Sequence, residues 1–142
     1  YRAFLMGMRP IKDVPDEWAA DWRGLLSERG VSTSIPLVVT QSTGPALIRT
    51  LYGYRLVAPK MEWEQLNRAQ RLAILRHELA HYLRGDLWTD FLVRFVSLVH
   101  WFNPCAWRAL QRFEEQSEYV CDQFAAGDNS GEFAAAFRAA LF

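Results

Sequence analysis

Two histidines four residues apart, enclosing a glutamate, place the tightest constraint on this chain: His77-Glu78-Leu79-Ala80-His81. The five residues lie inside a helical pattern that starts at Asn67 and closes at Gly85. Leu72, Ile74, Leu75, Leu79 and Leu83 supply its apolar positions, and Arg68, Arg71, Arg76 and Arg84 its polar ones. Positions i and i+4 of a helix share a face about one turn apart, so both imidazoles can reach one metal ion. The chain has three histidines and spends two here. The bland alternative is a pair of surface histidines around a helix glutamate. Three positions fixed by chance in a chain of this length are rare enough to set it aside.

Zinc is the metal that neutral imidazole nitrogens select in a tetrahedral site. It would lower the pKa of a bound water to about 7 and polarise a peptide carbonyl. Glu78, next to the first histidine, would take the water's proton and pass it to the leaving amine. A catalytic zinc needs a third protein ligand. His100 is one candidate; the others are the acids Glu114, Glu115, Glu118 and Asp122. Glu118 and Asp122 are spaced i, i+4 and share a helix face. Glu118 can then be the third ligand. Asp122 can accept a hydrogen bond from the far ring nitrogen of a histidine, His77 in the first instance, and fix its tautomer. The competing reading of these acids is a solvated acidic face.

Length and composition bound the rest. At 142 residues, one domain over 1–142 is expected. With 51% hydrophobic and 14% aromatic residues the chain can build a packed core and is not disordered. Sixteen basic residues balance sixteen acidic ones, so no net field draws it to nucleic acid or anionic lipid. The longest apolar stretch, 91–102, is broken by Arg94 and is shorter than the roughly 18 residues of a membrane span. No amino-terminal run reads as a signal peptide. The chain opens on Tyr1 and stops at Phe142 in mid-pattern, which reads as a domain excised from a longer protein. Cys105 and Cys121 fall in one expected helix, roughly 24 Å apart along its axis and beyond disulfide reach. They read as free thiols in a reducing compartment, packed as small apolar side chains.

Residues 1–9 are apolar and basic and could end an upstream helix. Pro15, Asp16 and Glu17 mark a helix start, Trp18, Trp22, Leu25 and Leu26 recur at helical spacing toward a core, and Gly30 ends the pattern. Three short β-rich runs follow at 35–40, 46–51 and 54–58, with Gly44-Pro45 and Tyr52-Gly53 as breaks. They predict a small, largely antiparallel sheet of three strands, ended by Pro59. From Glu62 the chain reads as helical. A second helix at 87–102 is apolar nearly all round, hence buried or lipid-facing. Between core and membrane or partner surface we take it as core, with Arg94 paired or snorkelling to water and Trp88 packed. Asn103-Pro104 caps a third helix running to 126, 127–131 is a loop, and 132–142 begins a fourth helix.

These residues resemble a known group. HExxH followed by a helix bearing ExxxD is the pattern of the gluzincins, zinc peptidases with two His ligands and one Glu. A more specific resemblance is to the BlaR/MecR peptidase family of bacterial membrane sensors. Its signature is similar to His-Glu-Leu-Ala-His at 77–81, Arg-x-Asp-Leu at 84–87, His-Trp-Phe-Asn-Pro at 100–104 and Glu-x-x-Cys-Asp at 118–122. The strands at 35–40 and 55–59 also resemble that family's sheet, so the likeness covers residues 35–126.

The resemblance implies a zincin-like α+β fold and a zinc metalloendopeptidase working in regulatory proteolysis. It implies His77, His81 and Glu118 as zinc ligands, Glu78 as base and acid, and Asp122 behind the ligands. It further implies a polypeptide substrate such as a regulatory protein, flanking membrane helices in the full-length protein, and a place on the cytoplasmic face of the bacterial membrane. Nothing here carries a sensor domain, so antibiotic sensing does not follow. Glu114-Glu115-Gln116-Ser117 departs from a more basic family stretch and bears on substrate preference.

His100 has two readings, an oxyanion-stabilising group or a helix cap that packs, and the second is favoured. Tyr82 and Tyr119 are weaker candidates of the first kind. One strand should rim the cleft and bind extended peptide by strand addition. The rival to an enzyme is a catalytically silent, zinc-stabilised regulatory or scaffold module. Glu78 discriminates, since a purely structural site has no use for that acid. A third reading is a membrane-associated sensor segment whose second helix binds partner helices.

Overall fold

Apolar residues at helical spacing build the first element. The computed structural model describes residues 14–41, 45–126 and 135, and helix α1 spans Asp16–Glu28. Asp16 and Glu17 occupy its first turn, where acids suit the positive end of the helix dipole. Trp18, Trp22, Leu25 and Leu26 line one buried face. Trp22 also donates its Nε1 hydrogen to the Ile35 carbonyl at 2.7 Å, so its one polar atom is satisfied.

Three strands follow: β1 Leu37–Thr40, β2 Ala46–Thr50 and β3 Gly53–Pro59. β2 and β3 form an antiparallel hairpin, with Ala46 opposite Val57 and Thr50 opposite Gly53. Leu51 and Tyr52 form the turn, and Gly53 starts β3 at a φ of 117°, which a side chain would strain. β1 lies on the other edge of β3 and runs parallel to it, Leu37 opposite Leu56, giving the order β1-β3-β2. The sheet is therefore mixed, which corrects the expected antiparallel arrangement. Leu56, Val57 and Ala58 are all buried, and β3 is the central strand with a partner on each edge. The hairpin supplies one, and the chain before it supplies the other. Alternation tells which residues face the core, not which strand lies beside which.

The remaining helices are α2 Lys60–Gln65, α3 Arg68–Arg84, α4 Asp86–Val99 and α5 Pro104–Ala126. Asn67 and Gln70 form a reciprocal capping box at the start of α3. Gly85 closes it at a φ of 71°. Asn103 accepts from Cys105 N at 3.0 Å and opens α5. One apolar core joins α1, the sheet, α2 and α3 around Trp22, Val39, Leu56, Trp63 and Leu75. On its other side α3 meets α5 through small side chains, Ala73 and Ala80 against Cys121 and Ala125.

α4 overturns the reading of its helix as core. Of its residues only Asp86 and Ser97 are buried, while Trp88, Phe91, Leu92, Phe95, Leu98 and Val99 are exposed. The core is already filled by α1, the sheet and α3, so an all-round apolar helix has no volume left to enter. Arg94 is paired, with Asp90 at 2.9 Å and with Glu114 of α5 at 2.6 Å. Trp88 stacks under the Arg49 guanidinium, 4.2 Å from the ring centroid, and ties α4 to β2. Leu83 and Cys105 are exposed too, against expectation, because Leu83 lies off the buried stripe and Cys105 lies in the outer first turn of α5. Cys121 is buried, and both thiols are free. No described helix is long and apolar enough to cross a membrane. Residues 1–9, and all of the fourth helix expected at 132–142 but residue 135, lie outside the described residues.

Candidate metal centre

α3 carries both imidazoles on one face because their spacing is one turn. His77 is buried, His81 half-buried, and the rings meet edge to face at 4.7 Å. Their Nε2 atoms are 3.1 Å apart. α5 crosses α3 at the small-residue seam, so its backbone comes close and brings Glu118 over the same point. Glu118 Oε2 lies 3.5 Å from His77 Nε2, and Oε1 lies 3.8 Å from His81 Nε2. One donor atom from each of His77, His81 and Glu118 falls within 4.8 Å of the others.

The carboxylates beside the far ring nitrogens favour one tautomer. Asp122 Oδ1 lies 2.9 Å from His77 Nδ1, and Asp86 Oδ2 lies 2.9 Å from His81 Nδ1. A carboxylate offers only lone pairs, so the proton of each neutral ring belongs on Nδ1. Both Nε2 atoms then present lone pairs to one point, beside a third acceptor from Glu118. Three acceptors so close repel one another unless a cation lies between them. The donor set therefore fits a metal ion, and His77, His81 and Glu118 are the residues that could hold it.

Glu78 stands beside this point. Its Oε2 accepts a hydrogen bond from Leu47 N of β2 at 2.8 Å. Burial pushes the Glu78 carboxyl above its usual range, against the opposing pull of the His77 ring and the Leu47 N–H. A cleft of about 560 Å³ opens in front. Its walls are Ala46 and Leu47 of edge strand β2, Leu87, Asp90 and Arg94 of α4, and Phe113, Glu114, Ser117 and Glu118 of α5. A half-buried carboxylate with raised proton affinity, next to a cation point in an open cleft, can accept and return a proton.

Other candidates stand apart from this point. His100 is the exposed C-cap of α4, with its ring 6.3 Å from Phe102, and is not among the residues lining the cleft. Glu114 lines the cleft but is engaged by Arg94, and Glu115 faces Arg112 at 3.5 Å. Tyr82 packs on Tyr54, and the Tyr119 hydroxyl accepts from Gln123. Sequence reasoning missed two groups. Asp86 had a signal: it directly follows the helix-closing glycine, whose left-handed turn returns the next residue to the last turn of α3. The Leu47 N–H had none, because a backbone donor leaves no mark in a sequence.

Comparison with known proteins leads to a metal-dependent peptidase family. The chain belongs to the BlaR1 peptidase M56 family, whose model matches residues 26–127. Over 49 residues, 34% of the chain, it is 33% identical to Regulatory protein BlaR1 of Bacillus licheniformis. The matched segment is 8% of that relative's length.

Proposed function

We propose that the chain is a zinc-dependent metalloendopeptidase of the gluzincin type with a zincin-like fold. The observation that carries this reading is the convergence of two imidazole lone pairs and one carboxylate beside Glu78 in an open cleft. Tetrahedral zinc with nitrogen and oxygen ligands sets its donor atoms about 3.3 Å apart. The two Nε2 atoms are 3.1 Å apart and a Glu118 oxygen lies 3.5–3.8 Å from each, which leaves room for zinc with His77, His81 and Glu118 as ligands. Asp122 orients His77.

A bound zinc would supply Lewis-acid chemistry, acidifying water and polarising a peptide carbonyl. Glu78 takes the proton of the attacking water and delivers it to the leaving amine. The Leu47 N–H holds its carboxylate toward the cleft. β2 is an edge strand of the sheet and its Ala46 and Leu47 face the cleft, so it is the strand to which an extended peptide would add. The substrate class is a polypeptide, in keeping with family and cleft, and regulatory proteolysis is the process. The exposed apolar side of α4 suits flanking membrane helices, with the domain on the cytoplasmic face of a bacterial membrane.

Metal analysis combined with one variant tests the reading. The wild-type chain should hold one zinc and cleave peptide, and Glu78→Ala should hold zinc and lose cleavage. Substituting His77, His81 or Glu118 should lose the metal. Cleavage by Glu78→Ala at the wild-type rate would refute the mechanism.

A further inference from the structure

Behind the ring of His81, at the edge of the cleft that Asp86 helps to line, lies a group of polar atoms that the reaction does not use. We propose that Asp86 is the positioning residue of His81 and that Cys121 locks Asp86 in that role. The proposal rests on the reading of His77, His81 and Glu118 as metal ligands. Asp86 and Cys121 are both buried, the thiol completely. A buried carboxylate is costly unless its lone pairs are taken up, and here three side chains converge on it. His81 Nδ1 lies 2.9 Å from Oδ2, Cys121 donates its S–H to the same oxygen at 3.0 Å, and Arg84 Nε lies 3.3 Å from Oδ1.

The three atoms His81 Nδ1, Asp86 Oδ2 and Cys121 Sγ could also be read as a second metal site. Their separations argue otherwise. Cys121 Sγ lies 3.2 Å from His81 Nδ1 and 3.0 Å from Asp86 Oδ2. A zinc–thiolate bond of about 2.3 Å would hold sulfur about 3.5 Å from its fellow ligands. Asp86 Oδ2 can accept from both the Cys121 S–H and the His81 Nδ1–H, which leaves the sulfur and the ring nitrogen side by side at 3.2 Å. Asp86 thus keeps the His81 proton on Nδ1 and aims the Nε2 lone pair at the cleft. Asp122 stands 2.9 Å from His77 Nδ1, so each ring of the pair has a carboxylate behind it, hydrogen-bonded in the case of His81. The two supports differ in setting: Asp122 is half-buried on α5, whereas Asp86 is buried at the first turn of α4 and held by a thiol from α5. The thiol therefore joins three helices at the ring of His81.

The test uses the whole chain. Nitrogen-resolved NMR of its imidazoles in the metal-free state at pH 8 should find His81 protonated on Nδ1. Zinc titration against a competing chelator should show Asp86→Asn binding about 10–100-fold more weakly. Oδ2 faces the His81 ring and the Cys121 thiol and Oδ1 faces the Arg84 guanidinium, so the amide nitrogen meets a donor at either end. Cys121→Ser keeps a donor and should bind zinc nearly as wild type, while Cys121→Val, of similar size without one, should bind several-fold more weakly. His81 protonated on Nε2 in the wild type, or unchanged zinc affinity in Asp86→Asn, would overturn the proposal. If Asp86→Asn does not fold, the wild-type tautomer and the Ser/Val contrast still decide it. A wild type that binds no zinc would defeat the metal reading, and the tautomer would still judge Asp86.

Discussion

The half of the molecule that carries the histidines and the half that carries Glu118 are built differently. α1, the sheet, α2 and α3 share a core in which Trp22, Val39, Leu56, Trp63 and Leu75 are almost fully buried. α4 and α5 bury few large side chains, and α5 meets α3 through alanines and one cysteine. The imidazoles are thus rooted in the large-residue core, while the third acceptor rides on a helix held through a close seam of small side chains. Stability belongs to the first half and the completeness of the site to the second.

Substitutions can break that division. The largest effect should come from Trp22→Ala, which removes a buried indole and its bond to Ile35 and should cost about 3–5 kcal/mol. The urea midpoint should fall far enough to threaten folding of the entire domain. Ala80→Leu is next. Ala80 is fully buried in the seam beside His81, and overpacking there should cost about 1–3 kcal/mol. The telling readout is zinc affinity, which should fall more than stability does, because α5 and Glu118 are pushed off α3. If metal binding and stability fall in proportion, the two halves are one unit and the comparison fails.

Smaller effects sharpen it. Glu78 is raised in the folded state, mainly by burial. Between the ordinary carboxylate range and that raised value the unfolded chain has lost its proton and the folded chain keeps it. Stability therefore falls as pH rises through this window, and the full penalty persists above it. Glu78→Gln should raise the Tm of the metal-free chain at neutral pH, with the gap closing in acid below the ordinary range. An equal Tm at all pH values would show that burying the Glu78 carboxyl costs the fold nothing. The smallest change should come from Phe95→Ser on the exposed side of α4, within about 0.5 kcal/mol in chemical denaturation of this chain.

How much of this could be read in advance varied with how local the cause was. The α3 boundaries were legible because Asn67, Gln70 and Gly85 act on their own neighbours. The start of α5 at Asn103-Pro104 was legible for the same reason. That His77 and His81 share a face follows from spacing alone, and so does the shared face of Glu118 and Asp122. Strand order was not legible, because β1 pairs with β3 across an intervening strand. Nor was the exposure of α4, since an apolar helix looks alike whether buried or unpartnered. Asp86 stood in plain view beside Gly85, yet its contact with His81 depends on how the chain turns between two helices.

Sequence alone determined α1, α3 and the start of α5, the strands of the hairpin, and which side chains share a face, since these follow from backbone geometry within a few residues; the short helix α2 was not read as separate. Tertiary structure decided that α5 lies close enough to α3 to bring Glu118 to the histidines, that Leu47 donates to Glu78, and that Asp86 and Cys121 stand behind His81. Those contacts join groups from 5 to 41 positions apart in the chain, and only the packing of one element on another brings such groups within bonding distance.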